Sequence, residues 1–448
     1  MRLKKIFIGR YKNISNFECE LSDSNISAFI GNNGSGKSNL LEVVTEVFSI
    51  AKKVCEDKRS NIIVFPEIYD CEIEYEKDNS YYILKYSKSD VAMYCGDQKL
   101  LKREMNNALP ESIIVYYAGE TSRQASTVNS TFDVKYDERL KRSDNDSFPG
   151  YKYMDYYSID DLSLLLLTAS VFGEEYNKKL LNLLRCDDIL PQVRMILKNP
   201  KGRGQNNADT YWNAKGFVQS FLDELRKYVS STQDLGVKYI MTFSNTEYFK
   251  KTSKNASEFF IKLKALKNAG YLECLTVELK GINGEIFSHD MLSEGEKQLS
   301  LLYLLTTFTA QDNCLYIFDE FDAYLHLNWQ RLISQMLYDI QVNGHIIFTT
   351  HSPGTISQIR SDELYIMKDG CIVYPESETF NRALDEIMLE QMNITMRPPH
   401  IEALYDEFKQ CIADRNKEEA EMIMLKLMDI LDANDPLFVK LRLVLRRI

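Results

Sequence analysis

The first third of the chain alternates apolar and polar positions in a way that predicts short strands. Apolar residues recur at a period of two in the first 22 residues, which predicts two strands joined by a turn. A mostly apolar run, Ile26–Ile30, then precedes a glycine-rich loop, and a helix-like run follows over residues 39–50. Further strands are expected over 62–75, 81–86 and 112–117, with a helix over 101–108.

The pattern changes after residue 119. Residues 120–150 are polar and charge-mixed, which favours a mobile loop, whereas residues 151–269 carry mostly helical spacing. A hairpin is expected over 272–288. The apolar runs 315–318 and 345–349, separated by a predicted helix over 328–340, indicate parallel β-α-β units.

The chain ends in a predicted helical module. Beyond Pro398-Pro399, three helical segments carry apolar residues at helical spacing. A packed cap and a partner-docking surface are both consistent with this pattern.

Composition narrows the functional classes. The 448 residues carry a net charge of -11, so DNA contact would depend on local patches such as Lys135–Arg142 and Lys198–Arg203. The nine cysteines contain no C-x2-C pair, which argues against a zinc ribbon and a disulfide framework. The longest apolar stretch, 162–172, is too short for a bilayer span, and we expect a cytoplasmic protein with no membrane contact.

The glycine-rich loop carries the strongest chemical signal. Gly31–Ser38 fits the spacing Gly-x4-Gly-Lys-Ser between a strand and a helix, the context of a phosphate-binding loop. Lys37 would contact the β- and γ-phosphates, and the Ser38 hydroxyl would ligate Mg2+. The predicted nucleotide-binding residues of this loop are Asn32, Asn33, Gly34, Ser35, Gly36, Lys37, Ser38 and Asn39.

Three later stretches fit the same chemistry. The apolar strand 315–320 ends in Asp319, which would hold Mg2+ through its water shell, and Glu320, which would deprotonate the attacking water. Ser293 and Gly295 stand at a helix start, where free N–H groups can bind an anion. His351 follows the next strand and is placed to touch a γ-phosphate.

These four motifs together resemble the ATP-binding-cassette (ABC) ATPases related to structural-maintenance-of-chromosomes (SMC) proteins and RecF. Residues 33–39 match their Walker A form, 292–298 their signature, Asp319-Glu320 their Walker B pair, and His351 their switch histidine. The resemblance implies ATP and Mg2+ as ligands. It also implies two heads closing face to face, with Ser293, Gly295 and Glu296 of one completing the site of the other in a homodimer or larger homo-oligomer.

A narrower resemblance concerns the flanking segments. Residues 319–329 are similar to the Walker B extension of the overcoming-lysogenization-defect (OLD) family, although Phe321 stands where that group has proline. Residues 116–120 and Arg397-Pro398-Pro399 resemble ATPases of bacterial anti-phage systems, first those of Septu and retrons and second that of PARIS. No glutamine is identifiable as a Q-loop residue. Arg10 or Lys12 could reach the nucleotide or be surface charges.

The implied fold is α/β, an ABC/SMC-head-like P-loop ATPase with a mixed sheet, a mainly helical insertion and a C-terminal helical module. We expect an N-terminal ATPase lobe over 1–119, the insertion over 120–271, a C-terminal lobe over 272–380 and the module over 381–448. Fused-nuclease relatives carry a Toprim domain after the cassette, and no such motif is visible here. The resemblance thus implies a separate effector nuclease of HNH or Toprim type, with nucleic acid reached through the complex.

Two other functions fit parts of the pattern. A RecF-like DNA-repair ATPase would need a basic surface on the closed heads, which the net charge disfavours. A non-hydrolysing scaffold would use ATP only as a structural contact, and the intact Glu320 argues against it.

Overall fold

The computed structural model describes residues 1–56, 69–87, 90–118, 132–141, 148, 150–201, 208–339, 344–390, 397–432 and 435–445. These residues form two compact units, Met1–Asn381 and Arg382–Ile448. Among the described residues, no helix combines the length and the apolar character needed to cross a bilayer.

The strands, in chain order, are β1 (Arg2–Tyr11), β2 (Ile14–Glu20), β3 (Ile26–Ile30), β4 (Tyr69–Lys77), β5 (Ser80–Ser87), β6 (Asp90–Cys95), β7 (Gln98–Lys99), β8 (Ile113–Tyr117), β9 (Met154–Tyr157), β10 (Cys186–Lys198), β11 (Ser231–Asp234), β12 (Lys238–Phe243), β13 (Leu272–Gly281), β14 (Ile286–Ser288), β15 (Leu315–Asp319), β16 (His345–Thr349), β17 (Leu364–Lys368) and β18 (Cys371–Val373).

The α-helices are α1 (Lys37–Glu56), α2 (Lys102–Ala108), α3 (Phe132–Lys141), α4 (Leu162–Phe172), α5 (Glu174–Leu184), α6 (Gly216–Arg226), α7 (Ala256–Asn268), α8 (Glu294–Phe308), α9 (Leu327–Asp339), α10 (Pro353–Ile356), α11 (Leu384–Glu390), α12 (Pro399–Ala413), α13 (Lys417–Ile430) and α14 (Pro436–Leu445).

A seven-stranded mixed sheet carries the chemistry-bearing loops. Its order is β18-β17-β3-β16-β15-β8-β9, and all neighbours are parallel except β17 and β18. Every residue of β3, β15 and β16 is buried, as expected for strands covered on both faces. Because parallel strands end at the same edge, the loops after these three strands converge there. The parallel β-α-β units predicted from the sequence are confirmed.

A six-stranded antiparallel sheet, of order β2-β1-β4-β5-β6-β7, shares its core with the first sheet. Helix α1 contributes buried residues to that core, including Leu40, Val44 and Phe48, and they pack with residues of both sheets. The glycine-rich loop is therefore fixed at both ends, by a buried strand on one side and by a buried helix on the other.

The insertion contains a sheet that the helical prediction missed. Strands β10, β11 and β12 join β13 and β14 in a five-stranded antiparallel sheet of order β11-β12-β10-β13-β14. Val193, Met195 and Leu197 are buried and alternate with less buried residues, so a period of two was present in the sequence. The predicted hairpin over 272–288 exists, but its first strand pairs with β10, and the expected boundary at 271–272 falls inside this sheet.

The loop expected over 120–150 also differs from the structure. Residues 132–141 form α3, and Tyr136 and Leu140 on it are buried. Parts of several predictions lie outside the described residues: Gly119 and Glu120 of the 116–120 motif, Arg142 and Arg203 of the two basic runs, and residues 62–68 of a predicted strand.

The described residues of the second unit form four helices, α11 to α14. Its core includes Ile401, Phe408, Leu427 and Leu441. Arg397 forms a bidentate ion pair with Asp435, with N–O distances of 3.0 and 2.6 Å. This ion pair links the residue that precedes α12 by two positions to the residue just before α14.

Candidate nucleotide-binding site

The glycine-rich loop has a backbone that few other residues could adopt. Gly31 and Gly36 have φ angles of 149° and 106°. A Cβ on Gly31 would lie 2.3 Å from the carbonyl oxygen of Met367, and one on Gly36 would lie 3.1 Å from the Ile14 side chain. Glycine is therefore required here for both backbone conformation and space.

Lys37 is held inside the curl of the loop. Its Nζ donates to the carbonyl oxygens of Gly31 at 2.8 Å and Asn32 at 3.1 Å. Burial lowers the pKa of Lys37 to about 8, and the negative charges of Glu320 and Asp319 oppose that shift. The loop thus surrounds the Lys37 ammonium group with backbone groups, an arrangement that suits binding of a polyphosphate.

Asp319 connects the glycine-rich loop to the two central strands. Its Oδ1 accepts hydrogen bonds from the Ser38 hydroxyl, at 3.2 Å, and from the Thr349 hydroxyl. Burial raises the pKa of Asp319 to about 6, while these two hydrogen bonds favour its ionised form. Three chain segments that are far apart in the sequence therefore meet at one carboxylate.

Glu320 adopts an unusual backbone conformation. It is a non-glycine residue with φ of 50°, in the left-handed region. Its backbone N–H donates to the Thr349 hydroxyl at 3.0 Å. Left-handed backbone at a non-glycine residue costs of order 1–3 kcal/mol and persists only where the surroundings enforce it. Thr349 is such a constraint, because its hydroxyl holds both Asp319 and Glu320.

Most of the predicted loop residues line one open cleft of about 200 Å³, together with Glu320 and His351. Asn32, Ser35 and Asp319 are not among its lining residues. Burial, together with the charge of Lys37, lowers the pKa of His351 to about 4, so this half-buried ring is neutral at pH 7. The cleft is lined by Asn13, Asn33, Gly34, Gly36, Lys37, Ser38, Asn39, Glu320 and His351. The arrangement can hold anionic oxygens against Lys37 with a carboxylate and a neutral imidazole beside them.

Asn13 is a lining residue that the sequence analysis missed. Its amide donates to the Gly34 carbonyl at 2.6 Å, and its Oδ1 accepts from the Asn39 amide at 2.6 Å. The two cations predicted at this turn do not line the cleft: Lys12 pairs with Glu42 at 2.6 Å, and Arg10 is exposed. The turn between β1 and β2 therefore supports the loop through an amide, which no charge pattern could reveal.

Asp322 is a second missed residue, and it fixes the segment that carries His351. It is fully buried and accepts hydrogen bonds from the hydroxyls of Thr350 and Thr355. Phe321 packs edge-on against Phe348 with ring centroids 4.9 Å apart. The turn after β15 is thus bound to the segment after β16 by both polar and aromatic contacts.

The signature residues lie elsewhere on the same unit. Ser293 is exposed and caps α8 through a reciprocal capping box with Glu296. Gly295 is buried against Trp329, and a Cβ there would lie 2.8 Å from the indole ring. None of Ser293, Gly295 and Glu296 lines the cleft.

The donor set fits Mg2+ only together with phosphate oxygens. Ser38 and Asp319 present a hydroxyl and a carboxylate oxygen 3.2 Å apart, the hard ligands that this ion prefers. Among the described residues, no cluster of three or more His, Cys, Asp or Glu side chains could hold a metal by itself. The Ser35 hydroxyl in the loop is buried and has no hydrogen-bonding partner among the described residues. The residues present therefore suit a metal that arrives with a nucleotide.

The fold and the cleft define an SMC-head-like P-loop ATPase. The family described as RecF/RecN/SMC N terminal domain matches residues 2–371, and the chain belongs to that family.

Three named relatives are similar to this chain. A Retron Vc95 probable ATPase from Vibrio cholerae serotype O1 biovar El Tor is 23% identical over 406 residues, covering 82% of this chain and 74% of that protein. A Retron Ec83 probable ATPase from Escherichia coli is 26% identical, covering 35% of this chain and 32% of that protein. The Septu protein PtuA from Bacillus thuringiensis is 27% identical, covering 29% of this chain and 35% of PtuA. The resemblance to retron and Septu ATPases predicted from the sequence is confirmed.

One solved structure that the chain matches is the SMC head domain from Thermotoga maritima. It is 14% identical to this chain, covers 84% of it over its own full length, and superposes with a TM-score of 0.36.

Proposed function

We propose that this chain is the ATP-binding and ATP-hydrolysing subunit of a cytoplasmic bacterial anti-phage complex, in which it dimerises head to head around ATP and regulates a separate nuclease. One observation carries the proposal. The cleft gathers residues of the Walker A loop, Glu320 of the Walker B pair and His351, while the signature serine is exposed and outside it. The cleft is therefore half of a site.

Binding would begin with the phosphates entering the loop. Lys37 would exchange its contacts with Gly31 and Asn32 for the β- and γ-phosphate oxygens, and the backbone N–H groups of the loop would donate to the same group. Ser38 and Asp319 would hold Mg2+, which when bound neutralises charge on the phosphate oxygens. The charge of the nucleotide would favour protonated Lys37.

Hydrolysis would use Glu320 as the general base. As the water oxygen bonds to the γ-phosphorus and the bond from phosphorus to the β–γ bridging oxygen breaks, a Glu320 oxygen would take the water proton. His351 would donate a hydrogen bond to the γ-phosphate from its neutral ring. Thr349 would keep Glu320 in place through the hydrogen bond to its backbone N–H.

Replacing Thr349 by valine should lower kcat by roughly tenfold to a hundredfold, because it removes two hydrogen bonds worth about 1–3 kcal/mol together. Nucleotide affinity should change little, since Thr349 does not line the cleft. Steady-state turnover and titration with a fluorescent ATP analogue separate the two quantities. Thr349→Ser keeps the hydroxyl and should retain most of the turnover. A Thr349→Val protein with wild-type kcat would show that Glu320 is positioned without this hydrogen bond.

A second copy of the chain would complete the site. Ser293 is exposed at the first turn of α8, where helical N–H groups lack partners inside the helix. The hydroxyl of Ser293 and the N–H of Gly295 would contact the γ-phosphate held by Lys37 of the other copy. Since the contact is reciprocal, a symmetric dimer would bind two ATP molecules between the heads.

The defence role rests on the named relatives, which are ATPases of retrons and a Septu protein. The separate nuclease is the part of the proposal that rests on the sequence resemblance alone. Purification of the tagged chain, expressed from its genomic locus with the neighbouring genes, tests this assignment. We expect a nuclease encoded next to it to co-purify in fixed ratio. A chain that purifies alone, with ATPase activity intact, would overturn the defence-complex assignment and leave the ATPase assignment standing.

A further inference from the structure

The insertion carries a charge opposite to that of the whole chain. Residues 186–268, from the start of β10 to the end of α7, contain 14 lysines and arginines against eight aspartates and glutamates, a formal charge of +6 in a chain of -11. Two acidic residues outside this stretch, Asp161 and Glu273, form ion pairs with its lysines. When their charges are included, the formal charge is +4. A basic module on an acidic protein indicates an anionic ligand.

An aromatic pair stands at one corner of this module. Tyr228, just after α6, stacks on Tyr248 with ring centroids 5.5 Å apart and planes 6° from parallel. Phe249 packs edge-on against Tyr228 and is itself fully buried, which anchors the pair to the core. Tyr248 is nevertheless 48% exposed. A rigidly supported and accessible tyrosine ring is a surface on which another flat group can stack.

Lysines are concentrated in the two segments that carry the aromatic pair. Lys251 places its Nζ over the Tyr248 ring, 5.5 Å from the ring centre, where a stacking base would displace it towards a phosphate, and Lys250 and Lys254 are exposed on the same short segment. Lys227 is exposed next to Tyr228. Residues 244–255 contain three lysines and one acidic residue, Glu247. We call Lys227, Tyr248, Lys250, Lys251 and Lys254 the Tyr248 patch.

We propose that the Tyr248 patch binds single-stranded nucleic acid, with a base stacked on Tyr248 and the phosphates on the lysines. Basic side chains beside a stacking aromatic ring are the combination that holds single strands without reading sequence. Duplex nucleic acid fits less well, because its bases are stacked on one another and cannot reach a protein ring. No residue of the Tyr248 patch lines the nucleotide cleft.

Fluorescence anisotropy tests the proposal with full-length protein and three labelled probes: dT12, rU12 and a 12-base-pair duplex. Tyr248→Ala should weaken binding of a single-stranded probe roughly fivefold to 150-fold, the value of one stacked base, without changing the salt dependence. Tyr248→Phe keeps the ring and should bind like wild type. Lys250→Glu/Lys251→Glu should weaken binding and reduce the slope of log affinity against log salt by about 1.4, for two lost phosphate contacts.

A matched control is Lys102→Glu/Arg103→Glu, which makes the same charge change on exposed residues of α2. It should bind single strands like wild type, and ATP turnover in all variants should stay at the wild-type level. Preference for dT12 or for rU12 identifies the nucleic acid. Any of three results would overturn the proposal: no binding of either single strand, equal loss in the control, or no effect of Tyr248→Ala.

Discussion

Replacing Glu320 by glutamine is expected to abolish ATP turnover while leaving ATP binding intact. Glutamine has the shape of glutamate but cannot accept the water proton, and loss of a general base costs typically a hundredfold to ten-thousandfold in rate. Its backbone can keep the hydrogen bond to Thr349 and the left-handed conformation. Because ATP would persist at the interface, the variant should accumulate as a closed dimer.

Phosphate release measures ATP turnover, and light scattering measures the mass of the dimer. With ATP and Mg2+, the variant should elute at twice the monomer mass, and wild type should do so only transiently. Glu376→Gln alters an exposed carboxylate outside the cleft and should turn over like wild type. If Glu320→Gln hydrolyses ATP at the wild-type rate, another group is the base. If it is inactive but never dimerises with ATP, the head-to-head arrangement is wrong.

Replacing Lys37 by alanine should remove nucleotide binding itself. The lysine is the cation at the centre of the loop, and charge-assisted hydrogen bonds are worth roughly 1.5–3 kcal/mol each. Loss of two such contacts to phosphate should raise the Kd by about 150-fold or more. The thermal shift that ATP gives the wild-type protein should therefore disappear, since stabilisation follows the ratio of ligand concentration to Kd.

Lys12→Ala is the matched control for this variant. Lys12 belongs to the neighbouring turn and pairs with Glu42 rather than lining the cleft, so its loss should leave the Kd near the wild-type value. A fluorescent ATP analogue gives the Kd of each variant, and melting without nucleotide confirms that both proteins fold. If Lys12→Ala weakens binding as much as Lys37→Ala does, the loop is not the main phosphate contact.

The parts of the site that could be predicted are those written in contiguous motifs. The Walker A loop needs glycines at fixed spacing, and Asp319-Glu320 must follow a buried strand. Both patterns can therefore be recognised from the sequence alone. Three residues that support the site were not identified from the sequence: Asn13, Thr349 and Asp322. Each acts through side-chain hydrogen bonds to residues that are distant in the sequence. The sheet order, which places β16 beside both β3 and β15, explains the contacts of Thr349 and Asp322, whereas Asn13 reaches the loop from the turn between β1 and β2.

The missed sheet has a different cause. Strand β10 follows two leucine-rich helices and carries its clear alternation only over its second half, so the helical spacing before it dominated the interpretation. The correction matters for function, because β13 of that sheet leads through β14 into the signature helix α8. The insertion and the signature are thus parts of one continuous segment.

The central claim is that each ATP is held by Lys37 of one chain and Ser293 of another. Mixing two inactive variants tests it most directly. Lys37→Ala and Ser293→Arg should each lack turnover, because each damages both sites of its own homodimer. An equal mixture should recover about a quarter of wild-type activity, since half of the dimers are mixed and each has one intact site. No recovery at any ratio, or full turnover by Ser293→Arg alone, would contradict a site shared between two copies.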